Sequence, residues 1–202
     1  MREIALPPDI DAALGGAVIE AARAAYASPG RHYHTWAHIE ACLREAHDLA
    51  FDDAPAVYAA LLFHDAIYVA GAKDNEAQSA RLAATRLQGH AHFDAARIAR
   101  VEHLIMLTAS HAALPAVAPG DDQKLIDIDL SILATPAEAY RRYARDVRRE
   151  WVPRVVSGEQ YAQGRAAFLR GMLAAPRIFH SADFAAREAA ARANIERELR
   201  AL

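Results

Sequence analysis

Leu61-Leu62-Phe63-His64-Asp65-Ala66-Ile67-Tyr68-Val69 is an apolar run with a histidine and an aspartate side by side at its centre. An ionisable carboxylate is costly to bury unless something pairs with it. The run sits in a segment with Pro55 near its start, after Asp52 and Asp53, which reads as a helix with an acidic N-cap. On helical spacing His64 neighbours Ala60, Leu61, Ile67 and Tyr68, while Asp65 neighbours Leu61, Leu62, Tyr68 and Val69. Neither has a lysine or arginine three or four residues away, so local ion pairing does not account for them. A metal ion is the partner that does.

The surrounding pattern is helical throughout. Hydrophobic residues make up 53% of the 202-residue chain, with many alanines and only 7% aromatics, a balance that leans towards helix. The first helix is expected over Asp9 to Ser28, ended by Pro29-Gly30. A second follows from an N-cap at Thr35 to about Ala50, and a third carries the quoted run. Asp74 or Asn75 caps a fourth to about Leu87, and a fifth spans about Asp94 to Thr108. The stretch from His111 to Gly120, with Pro115 and Pro119, is the longest expected loop. Asp121 and Asp122 open a sixth helix through Leu133. Thr135-Pro136-Ala137-Glu138 has the pattern of a capping box for the next, and Ser157 with Gln160 repeats it. Ser181 starts the last. No stretch alternates with β-branched enrichment. The reading is an all-α protein of eight or nine helices, one domain over 1–202, with a core at about 30–135 and helices 136–202 packed on it.

Composition narrows the partners. The formal charge of -3 makes no electrostatic case for nucleic-acid binding. No apolar run approaches the roughly 20 residues that span a bilayer, and the N-terminus has no signal-like apolar core. The single cysteine, Cys42, forms no internal disulfide, and a reducing cytoplasm is the expected location.

Two further groups accompany the doublet. His34 and His38 are four residues apart, a spacing that puts both on one helix face, one to bind metal and the other to meet substrate or solvent. Asp129 has Leu125, Ile126, Ile132 and Leu133 as helical neighbours and again no local partner. Asp127 has Lys124 before it and Ser131 after it, which supply a local explanation. Together these segments offer two histidines and two carboxylates. Such a mixed nitrogen and oxygen set suits a divalent ion with open positions for water and substrate: Mn, Fe, Co, Ni, Zn or Mg.

This order, a histidine, a His-Asp doublet and a distal aspartate on a helical scaffold, resembles the HD superfamily of metal-dependent phosphohydrolases. The similarity is greatest to a biochemically ill-defined bacterial branch, through Arg31-x-Tyr33-His34-x-x-x-His38, Phe63-His64-Asp65-Ala66-Ile67-Tyr68, Asp74-Asn75-Glu76 and Asp127-x-Asp129-Leu130. The resemblance implies one divalent ion held by His38, His64, Asp65 and Asp129. It also implies hydrolysis of a phosphate monoester or anhydride in a small, nucleotide-like molecule. It departs from the stringent-response nucleotide hydrolases, whose acidic pair after the doublet is replaced here by Tyr68 and Val69. Two-metal relatives carry extra histidines in the interval that holds His103 and His111, where a second ion is the lesser expectation.

The remaining candidates follow from the chemistry. Glu76 is the expected general base or water-orienting group, with Asp65 and Arg31 also in the catalytic set. Phosphate calls for cations, and Arg31, Lys73, Arg145 and Arg148 are the candidates. His34 and Tyr33 complete the expected substrate contacts. Three rivals remain: a metal- or ligand-sensing module without turnover, a di-iron, oxygen-dependent enzyme, and a purely structural helical protein.

Overall fold

The computed structural model describes residues 6–110 and 119–202. His111 and Pro115 lie outside the described residues. Ten α-helices and three short 3-10 turns make up the described secondary structure, and no strand occurs among those residues. The all-α expectation holds. The chain divides into two compact units, Met1–Ala109 and Ser110–Leu202.

The first unit is built around the helix that precedes the doublet. It comprises α1 (Pro8–Leu14), α2 (Gly16–Ala25), α3 (Trp36–Ala46), α4 (Ala54–Phe63), α5 (Asn75–Leu87) and α6 (Ala95–Leu107). Every residue of α4 from Ala56 to Phe63 is buried. A helix that is apolar all round must be enclosed by others, and α4 packs against α1, α2, α3, α5 and α6. The Asp53 carboxylate caps it, accepting from the Ala56 N–H at 3.3 Å. Asp94 caps α6 in the same way, from the Arg97 N–H at 2.8 Å.

The first expected helix is two. Gly15 stands between α1 and α2 at φ 74°, a left-handed conformation that glycine adopts without the steric cost of a Cβ. Apolar periodicity continues across the break, so the pattern alone does not reveal it.

After α4 the chain forms a loop pinned by side chains of α5. The Ile67 N–H donates to Ser79 Oγ at 3.0 Å, and the Ser79 hydroxyl donates back to the Ile67 carbonyl at 3.3 Å. Asn75 grips Val69 on both sides: Oδ1 accepts from its N–H at 3.0 Å and Nδ2 donates to its carbonyl at 3.1 Å. Replacing Asn75 with Ala leaves both Val69 groups without these partners and is expected to cost about 1–3 kcal/mol. A urea melt measures the loss, and faster exchange of the Val69 amide locates it.

The second unit comprises α7 (Asp121–Leu130), a 3-10 turn (Ser131–Ala134), α8 (Ala137–Trp151), α9 (Gly158–Ala174), a second such turn (Ala182–Arg187) and α10 (Glu188–Leu199). α10 packs against the Ser131–Ala134 turn, α8 and α9. Ser157 and Gln160 form the expected capping box at α9. Thr135 and Glu138 do not form theirs. Pro136 is the residue before α8, the Thr135 hydroxyl donates backwards to the Ile132 carbonyl at 2.8 Å, and Glu138 pairs with Arg142.

Asp127 is also satisfied otherwise than its neighbours suggest. It is buried and accepts from the His180 N–H at 2.8 Å, the Ser181 N–H at 2.6 Å and the Ser181 hydroxyl at 2.6 Å. It ties α7 to the segment entering the second 3-10 turn, over 50 residues along the chain. Burial pushes its carboxyl above the usual carboxylate range, with the three donors pulling against that rise.

Candidate metal centre

Three side chains of the first unit converge. His38 lies in the first turns of α3, His64 is the residue that closes α4, and Asp65 is in the turn beyond it. The expectation of a doublet in mid-helix is therefore corrected: α4 ends at Phe63. The exit is held by Arg31, whose Nη1 donates to the Asp65 carbonyl at 2.7 Å and whose Nη2 donates to the Ala66 carbonyl at 2.7 Å. Helix-end carbonyls need partners, and a side chain 34 residues upstream supplies them. Nη1 also donates to the His34 carbonyl at 2.9 Å. Arg31 thus ties together the two segments that carry the cluster.

The donor atoms lie close together. His38 Nε2 and His64 Nε2 are 3.1 Å apart. Asp65 Oδ2 lies 3.3 Å from His64 Nε2 and 3.7 Å from His38 Nε2. His38 and His64 are 6% and 2% exposed, so water does not separate these groups as it would on the surface.

The outer sides of both rings are held as well. His64 Nδ1 lies 3.0 Å from the Leu61 carbonyl. A carbonyl only accepts, so Nδ1 carries the proton, and Nε2 in the neutral ring presents its lone pair to Asp65. A lone pair and a carboxylate at this separation repel unless a proton or a cation lies between them. His38 Nδ1 is 3.1 Å from the Tyr33 hydroxyl.

These distances fit an ion. With bonds of about 2.1 Å and angles of about 90–120°, two ligands of one ion are about 3.0–3.6 Å apart. Two of the three separations fall in that range and the third is at its edge. The donors, two imidazoles and a carboxylate, suit a borderline divalent metal. Burial would raise the Asp65 carboxyl, but the positive charge that the imidazoles of His64, His34 and His38 carry when protonated more than reverses this and holds it well below the usual range. The carboxylate stays ionised and available as a ligand.

The other candidates are placed as follows. His34 precedes α3 rather than sharing its face with His38, because the helix begins at Trp36. Its ring stacks on Tyr68 with centroids 4.0 Å apart, and the His34 and His38 rings are 6.3 Å apart. Lys73 is exposed in the loop before α5. Glu76 is half-buried in the first turn of α5, and neither it nor Lys73 forms an ion pair among the described residues. Asp129 is half-buried near the end of α7 in the second unit. Arg145 and Arg148 are exposed on α8, and Arg145 pairs with Asp146 at 3.0 Å. His103 is exposed on α6.

Sequence reasoning missed three contributors. Ser79 and Asn75 shape the loop beyond the doublet, and Asn75 was visible only as part of the Asp74-Asn75-Glu76 motif. Cys42, one turn after His38 and buried, brings Sγ to 3.7 Å and 3.8 Å from the ring nitrogens of His38. The four-residue spacing of Cys42 from His38 was its only signal.

Comparison of the chain with known protein families, with curated proteins and with solved structures finds no match. No helix among the described residues is long and apolar enough to cross a membrane.

Proposed function

We propose that this protein is a metal-dependent phosphohydrolase of the HD type, acting on a phosphate monoester or anhydride of a small, nucleotide-like molecule. One observation carries the reading: His38 Nε2, His64 Nε2 and Asp65 Oδ2 converge within 3.7 Å, with the far nitrogen of each ring already held. The assignment of Asp129 as a further ligand comes from the motif order. When bound, a divalent ion supplies charge for a phosphoryl oxygen and lowers the pKa of coordinated water.

The chain's own residues do the rest. Arg31 keeps the His34 and Asp65 segments in register. His34, backed by Tyr68, meets the substrate. Lys73 supplies positive charge from the loop that Asn75 and Ser79 pin. Glu76 takes the proton of the attacking water.

The test begins with metal analysis of the purified protein, then a panel of phosphate monoesters and nucleotides with added Mn, Co or Mg. About one ion per chain with metal-dependent phosphate release is expected. Metal-replete protein that releases none would replace this reading with a sensing module, and two irons per chain would favour oxygen chemistry. Within the same assay, Glu76→Gln is expected to lower turnover about 100-fold or more at unchanged metal content. Normal turnover would remove Glu76 from the chemistry.

A further inference from the structure

We infer that Tyr33 is a positioning residue that sets the metal affinity of His38 through its hydroxyl, rather than a surface on which substrate stacks. The inference rests on the metal reading above and adds to it a determinant of how tightly the ion is held.

The two histidines of the cluster are supported differently. His64 has a backbone carbonyl for its outer nitrogen, fixed by the end of α4 itself. His38 sits in the first turn of α3, and its outer nitrogen meets the hydroxyl of a side chain. Tyr33 Oη is 3.1 Å from His38 Nδ1. With Nε2 given to an ion, Nδ1 carries the ring proton, and the phenol oxygen is its acceptor. Metal-bound histidines generally have such an acceptor, which orients the ring and raises its basicity.

The aromatic ring is committed as well. Its centroid lies 4.9 Å from that of His38, tilted by 40°, and 4.9 Å from that of His34, nearly perpendicular. Tyr33 therefore touches both the ligand and the histidine proposed to meet substrate, through edges and faces that a stacking base would otherwise need. Its backbone is also in use, since the Tyr33 carbonyl accepts from the Thr35 N–H at 2.7 Å as the chain enters α3.

Tyr33→Phe removes the hydroxyl and keeps the ring. The full chain, stripped of metal and titrated with Co(II) in a calorimeter, is the measurement. The variant is expected to bind Co(II) about 10–100-fold more weakly. The melting temperature of its metal-free form is expected to stay close to that of the unmodified protein, which shows that the fold survives. The visible spectrum of bound Co(II) should change, because the His38 ring is no longer oriented. Equal affinity and an equal spectrum in the two proteins would overturn the role of Tyr33 and leave the metal reading intact. Absence of Co(II) binding by the unmodified protein would overturn both. A raised KM for phosphoester at unchanged Co(II) affinity would return Tyr33 to substrate binding.

Discussion

His64→Ala is expected to abolish the response of this protein to divalent metal. The substitution removes one of three converging donors, and the loss of affinity should exceed the 10–100-fold typical of disturbing a ligand's outer partner. Thermal melts read this without a known substrate. An ion at about 100 times its Kd stabilises the native state by about 2.7 kcal/mol. For a chain of this length each kcal/mol moves Tm by about 2–4 °C, so Mn or Co should raise the melt of the unmodified protein by roughly 5–10 °C. The variant should melt at one temperature with or without metal. Its metal-free stability should fall modestly, by about 1–2 kcal/mol, because His64 gives up one hydrogen bond to Leu61. It also loses the unfavourable approach of Nε2 to Asp65. If His64 were only a packed core residue, neither protein would respond to metal.

Arg165→Met is expected to cost about 3–5 kcal/mol, the largest stability loss from a single substitution in the second unit. Arg165 Nε and Nη2 meet the two oxygens of Glu198 at 2.9 and 3.1 Å, a bidentate pair in which the two side chains are 7% and 10% exposed. The Tyr140 hydroxyl donates to the same carboxylate at 2.5 Å, and the guanidinium lies over the rings of Tyr143 and Phe168. Burial, followed by the bond to Glu198, holds the Tyr140 hydroxyl far above its usual range. Truncating Arg165 strands the Glu198 charge among these rings. Tm should fall by roughly 6–20 °C. The double variant Arg165→Met with Glu198→Leu removes both charges and should recover most of the loss. Equal melts for the single and double variants would show that packing of the arginine stem, not the stranded charge, sets the cost.

Much of the site was legible because its signals are local. His64 and Asp65 declared themselves as ligand-type residues in apolar surroundings with no charged neighbour at helical spacing, and His38 through its four-residue spacing from His34. Helix caps at Asp53 and Ser157 are written in one or two residues and formed as expected. The capping pattern at Thr135 failed because its hydroxyl found the Ile132 carbonyl behind it. Asp127 looked locally explained, yet its partners are the backbone N–H groups of His180 and Ser181 and the Ser181 hydroxyl. Such partners are invisible to spacing, since they depend on which segments the fold brings together.

Arg31 illustrates the same limit. As a cation beside the histidine pair it suggested a phosphate contact. In the fold its terminal nitrogens serve the carbonyls of His34, Asp65 and Ala66. A lone arginine in sequence does not reveal whether it faces a ligand or a helix end.

The sequence by itself determined that this chain is helical and that a histidine and an aspartate stand side by side in an apolar run. Those properties follow from side-chain hydropathy and spacing along a few turns. Only the tertiary structure decided that α4 stops at Phe63, that the doublet turns out of the helix to meet His38, and that Tyr33 stands behind His38. These depend on hydrogen bonds between the side chains of Arg31, Ser79 and Asn75 and backbone groups of another segment. A backbone carbonyl has the same chemistry at every position, so only the fold selects which one a distant side chain reaches.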